Sequence, residues 1–148
     1  MTPDAPGPGA AEHTRGALFL RYWLPVIVYV GLIFTVSSIH GSSVPEFFPN
    51  VDKLEHLLEY SLFGLLAGRA IRFTLGPTGH RLAAAFGTIA LGAVVGALDE
   101  LYQSRVPGRS SDPLDWAVDV GAVAVAILAT QLIRTRPIHR PTTEKKTS

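Results

Sequence analysis

Four stretches of the chain are almost continuously apolar: about Ala17 to Ser37, Leu54 to Ala70, Leu82 to Tyr102 and Trp116 to Ile133. Each runs for about 17–21 residues, near the length with which an α-helix crosses the hydrocarbon of a bilayer. The strict alternation of a membrane β-barrel is absent. The pattern therefore predicts an all-α fold, an integral membrane four-helix bundle rather than a soluble domain. Segment two is the weakest of the four, because Glu55, His56 and Glu59 fall in its first two turns. Pro25 lies inside segment one, where a membrane helix accommodates it with a kink. Gly87, Gly92 and Gly96 make segment three smooth enough for close helix packing. The spacing Gly92-x-x-x-Gly96 suits a contact within the chain or between copies, so a homo-oligomer stays open.

The flanks differ in kind. Residues 1–16 are rich in Pro, Gly and Ala and lack an apolar face, which predicts a disordered tail. Residues 134–148 carry Arg, Lys, Thr and two prolines and read as a basic, solvated tail. The membrane domain is thus expected over 17–133. Arg15 and Arg21 before the run from Trp23 to Val36 resemble a secretory signal, but no small-x-small cleavage site follows, which favours an uncleaved first helix. With no cysteine, disulfides, thiol catalysis and Cys-ligated zinc are excluded. The net charge of +1 gives no footprint for nucleic acid.

The charges are segregated more than their sum suggests. If both termini face the cytoplasm, Arg15, Arg21, Arg69, Arg72, Arg81, Arg134, Arg136, Arg140, Lys145 and Lys146 lie inside. Only Lys53, Arg105 and Arg109 lie outside. The positive-inside rule therefore predicts a multi-pass protein of the cell membrane with cytoplasmic N and C termini. The acids then collect on the other side. Glu46, Asp52, Glu55, Glu59, Asp99, Glu100, Asp112, Asp115 and Asp119 all fall in outer connections or outer helix ends. Ionisable groups at membrane depth are costly and mark functional sites.

Helical spacing sharpens this convergence. Asp52, Glu55, His56, Glu59 and Tyr60 share one broad face of segment two, spaced by three and four. Glu100 and Gln103 are an i, i+3 pair at the end of segment three, with Asp99 beside them, and Asp115 and Asp119 are an i, i+4 pair on segment four. The connection Ser104 to Pro113 holds a Pro107-Gly108 turn with Arg105, Arg109 and Ser110 around it. Arginine pairs suit the bidentate grasp of phosphate or carboxylate. A carboxylate or His56 beside them can serve as general base or nucleophile. The same donors can hold a divalent cation bridging to a phosphate, although no His-x-x-x-His pair marks a metal site and no residue is assigned as a metal ligand. Bland readings stand beside these. Asp115 in a first helical turn is favourable as a cap, Tyr60 and Trp116 suit an aromatic belt, and His56 with Glu59 suits buried pairing with an arginine.

The residues Asp52-Lys53-x-x-His56-x-x-x-Tyr60-x-x-x-Gly64, then Asp99-Glu100-x-x-Gln103 with Pro107-Gly108-Arg109-Ser110, then Asp115 to Gly121, resemble the VanZ-like family. Ser37-Ser38 at the end of segment one also resembles it, and the likeness covers roughly Trp23 to Leu132. It departs at Asp119, where that family usually has Asn. The resemblance implies a cell-envelope membrane protein related to one associated with resistance to the glycopeptide teicoplanin. It also implies kinship with membrane enzymes that act on lipid head groups at phosphate linkages. On that analogy Asp52, His56, Glu100, Gln103, Asp115 and Asp119 are the catalytic candidates, and Tyr60, Arg105, Arg109 and Ser110 the substrate-binding ones.

Three functions compete: head-group chemistry on a lipid or lipid-linked precursor, binding without chemistry that alters envelope or antibiotic access, and proton-coupled transport. Polar residues at one end, rather than at midplane on broken helices, argue against transport. Nine outer carboxylates would repel the ligand of a pure anion binder, which favours chemistry or a cation-bridged site. Membrane lipids are the expected partners.

Overall fold

The computed structural model describes the backbone of residues 8–39, 51–109 and 111–135. All regular structure among them is helical: α1 (Pro8–Ser37), α2 (Val51–Leu75), α3 (Arg81–Gln103) and α4 (Pro113–Thr135). α1 begins at Pro8, so the expected tail over 1–16 is helical from residue 8 onward. The basic tail lies outside the described residues beyond 135, as does Ser110, and so does the side chain of Asp52.

The helix ends follow local chemistry. Gly76 ends α2 in the left-handed region at φ 70, and Pro77 cannot continue the helix. Gly108 turns the chain at φ 81 after α3. Asp112 then caps α4: its Oδ1 accepts the Leu114 N–H at 2.9 Å and its carbonyl accepts the Asp115 N–H at 2.9 Å. Pro113 follows at the first helical position, where a missing N–H costs nothing. The Leu114 N–H and then the Lys53 ammonium hold the Asp112 carboxyl below the usual carboxylate range.

Among the described residues α2 packs against all three other helices, and α1 meets α2 and α3 but not α4. One end of the α1–α2 pair is pinned by the Trp23 indole donating to Thr74 Oγ1 at 2.9 Å, by Tyr22 stacked on Phe73, and by Arg69 over the Tyr22 ring. Buried positions recur at helical spacing: His56, Tyr60, Phe63 and Ala67 on α2, Thr88, Gly92, Val95 and Asp99 on α3, and Asp119, Val123 and Ala126 on α4. The outward positions carry large apolar side chains, among them Ile27, Val28, Leu58, Leu82, Phe86, Val125 and Leu132, each more than half exposed. A molecule that turns leucine and phenylalanine outward and buries carboxylates is built for lipid. α1, α3 and α4 are long and apolar enough to cross a membrane. α2 is long enough at 25 residues, but Lys53, Glu55, Glu59, Arg69 and Arg72 take it out of that set.

Glycines set the close packing. Val123 is wholly buried between α2 and α3: a Cβ on Gly64 would sit 3.1 Å from its Cα, and one on Gly92 would sit 2.8 Å from its Cγ2. A Cβ on Gly96 would sit 2.9 Å from Asp119 Oδ2. The Gly92/Gly96 face is therefore filled by α4 of the same chain. Gly64→Ala should lower the thermal stability of the detergent-solubilised protein by about 1–3 kcal/mol through overpacking. Gly121→Ala, with open space around it, should be neutral or stabilising, because alanine is the better helix former. Thermal unfolding of the two variants checks both.

Candidate functional site

The polar residues meet at one end of the bundle, because the C-terminal turns of α1 and α3 lie beside the N-terminal turns of α2 and α4. Three small networks fill this end. In the first, Asp99 on α3 is wholly buried; its Oδ1 accepts from Ser37 Oγ at 2.6 Å and its Oδ2 from Gln103 Nε2 at 3.0 Å. Gln103 also donates to Ser37 Oγ at 3.3 Å, which closes a ring of three side chains between α1 and α3. In the second, His56 Nδ1 lies 2.9 Å from Asp119 Oδ1, joining α2 to α4. Both residues are buried, Asp119 completely. In the third, Lys53 Nζ pairs with Asp115 Oδ1 at 2.7 Å and Asp112 Oδ2 at 3.2 Å, and the Asp112 N–H donates to Glu100 Oε2 at 2.9 Å.

The pairings leave polar atoms over. Glu100 Oε1, Asp119 Oδ2 and the Tyr60 hydroxyl are buried and have no hydrogen-bond partner among the described residues. Tyr60 stacks parallel to His56, with ring centroids 6.2 Å apart. An oxygen of Glu100, an oxygen of Asp119 and a ring nitrogen of His56 all lie within 4.8 Å of one another. Two acids and an imidazole are thus held together, with hydrogen-bonding capacity unspent, in an environment where an unpaired polar group is expensive.

The sequence-based candidates sort into three groups. His56, Glu100, Gln103, Asp115 and Asp119 are all buried at this end, as is Tyr60. Arg109 is near but engaged: its Nε donates to the Ile39 carbonyl at 3.2 Å and its Nη2 to the Val36 carbonyl at 3.4 Å, where it caps the C-terminus of α1. Arg105 does not join; it is exposed and bonds the Leu101 carbonyl one turn back. Glu55, expected on the same face as His56, is exposed as well. Neighbours in sequence stand about 100° apart around a helix, so the face that buries His56 turns Glu55 outward.

Two members carry more than the sequence suggested. Asp99 is the hub of the α1–α3 ring, and its i, i+4 spacing to Gln103 was the available signal. Lys53 is the ammonium that neutralises the start of α4, 62 residues away in sequence, and nothing in its local pattern indicated that.

The ring can be tested separately from any activity. Asp99→Ala should lower stability by at least about 2 kcal/mol, because it strands the Ser37 hydroxyl and the Gln103 amide. Asp99→Asn, which keeps an acceptor, should lose less, and Glu55→Ala should stay within about 0.5 kcal/mol. Thermal unfolding in detergent distinguishes the three.

Comparison with known proteins leaves the site to its own geometry: no family model, no curated protein and no solved structure matches the chain.

Proposed function

We propose that the chain is a VanZ-like integral membrane protein of the cell envelope that acts on phosphate-containing lipid head groups or lipid-linked envelope precursors. In this reading α2 completes a fourth span, both termini are cytoplasmic, and the polar end opens outward at head-group depth. The observation that carries it is the buried His56–Asp119 pair with Glu100 beside it, at one end of a bundle whose exterior is apolar.

The chemistry follows from that placement. Asp119 holds the imidazole through Nδ1 at 2.9 Å, which fixes the ring and leaves the other nitrogen for proton transfer. Glu100 is held by the Asp112 N–H through one oxygen, and its second oxygen is unpaired among the described residues. These are groups that can move a proton or meet a charged substrate. Asp115, locked to Lys53, positions the start of α4 rather than touching substrate. Arg109 stands where an anionic head group would arrive, with part of its guanidinium already given to α1.

One observation favours a second reading, a non-catalytic membrane binding protein that modulates envelope or antibiotic access. Lys53 and Arg109 both spend hydrogen bonds on the fold, as parts of a rigid recognition surface would.

Lipid mass spectrometry on cells expressing the intact chain, beside His56→Ala and Glu100→Ala at matched membrane levels, separates the two. A head-group or precursor change seen with the intact chain should fall by about 100-fold or more in either variant, the scale of losing a general acid or base. Identical lipid profiles from all three would leave the binding reading. A fluorescent protein fused to the C terminus should fold and glow if that end is cytoplasmic; a dark fusion at normal expression would reverse the orientation.

A further inference from the structure

The unspent atoms at the polar end share a feature that proton chemistry does not explain. Glu100 is 6% exposed and Asp119 is fully buried, each with one carboxylate oxygen unpaired among the described residues. The Tyr60 hydroxyl, on the ring stacked parallel to His56, is fully buried and also without a hydrogen-bond partner among the described residues. Among the described residues, Lys53 pairs with Asp112 and Asp115. Buried carboxylates are tolerated when paired or when they coordinate a metal.

We infer that His56, Glu100 and Asp119 form a binding site for one divalent cation of the Zn²⁺ or Mn²⁺ kind. One ligand atom from each lies within 4.8 Å of the others. Ligands about 2.0–2.2 Å from such a metal stand roughly 3.3–3.6 Å apart around a tetrahedron, so small side-chain rotations close the set. An imidazole nitrogen with two carboxylates is a mixed donor set: the imidazole suits zinc and the carboxylates suit manganese, while pure oxygen sets suit calcium and magnesium. Three protein ligands leave a coordination position open, the pattern of reactive rather than structural sites.

The supporting contacts are those expected around a metal. The Asp112 N–H orients Glu100, and outer contacts of this type fix ligands in place. Gly96 contributes by absence: a side chain there would press on Asp119 Oδ2, the unpaired oxygen. Asp119 and Glu100 supply the two anionic ligands. The inference deepens the lipid reading and reassigns His56 and Glu100 within it from proton transfer to holding a cation, which would supply the positive charge that a phosphate needs and that Lys53 and Arg109 spend on the fold. It does not depend on that reading, because occupancy is measured without any lipid substrate.

The test uses the full chain, purified in detergent with a histidine-free tag and stripped with chelator. Zn²⁺ and Mn²⁺ are each titrated by calorimetry, and bound metal is counted by mass spectrometry after dialysis. The absence of cysteine removes the commonest adventitious zinc ligand. Saturable binding of one equivalent of either cation is expected, with a rise in thermal midpoint. Asp119→Asn, Glu100→Gln and His56→Ala should each weaken binding by more than about tenfold, whereas Glu55→Gln should not. Asp119→Asn should also unfold at or above the temperature of the stripped parent, since it removes a buried charge. A fold merely damaged by the substitution would unfold lower. No saturable binding by the parent, or undiminished binding in all three variants, would overturn the site. Bound cation with unchanged cellular lipids would keep the site and remove the lipid reading.

Discussion

A carboxylate inside a lipid-facing bundle must find its partners within the bundle. That constraint organises the polar end of this molecule. Asp99 draws Ser37 from α1 and Gln103 from its own helix. Asp119 draws His56 from α2, Asp115 draws Lys53 from the same helix, and Glu100 draws the backbone of the residue that caps α4. Apart from Asp99 with Gln103, which lies within α3, each contact joins two helices or a helix and its cap, so the groups that chemistry would use also hold four helix ends in register. Replacing one of them disturbs packing and site together, which is why variants that conserve shape separate the two roles.

The apolar half makes this arrangement affordable in steric terms. Gly64 and Gly92 let α2 and α3 close on Val123, and Gly96 leaves room for Asp119. In a bilayer, where burial of apolar surface drives helix association little, such close backbone approach supplies van der Waals contact in its place. The small residues of α3 are thus a packing device at one level and a means of admitting a carboxylate at the next.

The cationic groups have a dual character. Lys53 and Arg109 stand at the outer end in the proposed orientation, yet both are tied to the fold, Lys53 to the start of α4 and Arg109 to the end of α1. An anionic ligand would meet a site whose fixed positive charge is largely committed. The cation proposed above would resolve that conflict, since it would answer the surplus of buried carboxylate and give a phosphate something to approach.

The sequence by itself determined the four helices, to within a few residues at the ends of α3 and α4, because apolar runs near the span of a bilayer have no other stable form in lipid. It determined that the acids gather at one end, because helix order and length fix which termini are neighbours. It also placed His56, Glu100, Gln103, Asp115 and Asp119 at that end, where the structure buries them, while Glu55, set by the same spacing on the face of His56, is exposed. The start of α1 at Pro8 was missed, since a Pro, Gly and Ala-rich stretch gives no periodic signal. Only the tertiary structure decided the pairings: Asp119 with His56, Lys53 with Asp115, Arg109 with α1, and Gly92 and Gly96 against α4 rather than a second copy. Periodicity places a residue on a face of its helix. Which face of which neighbour it meets depends on the rotation and depth of both helices, and those are set by the sum of contacts across the bundle.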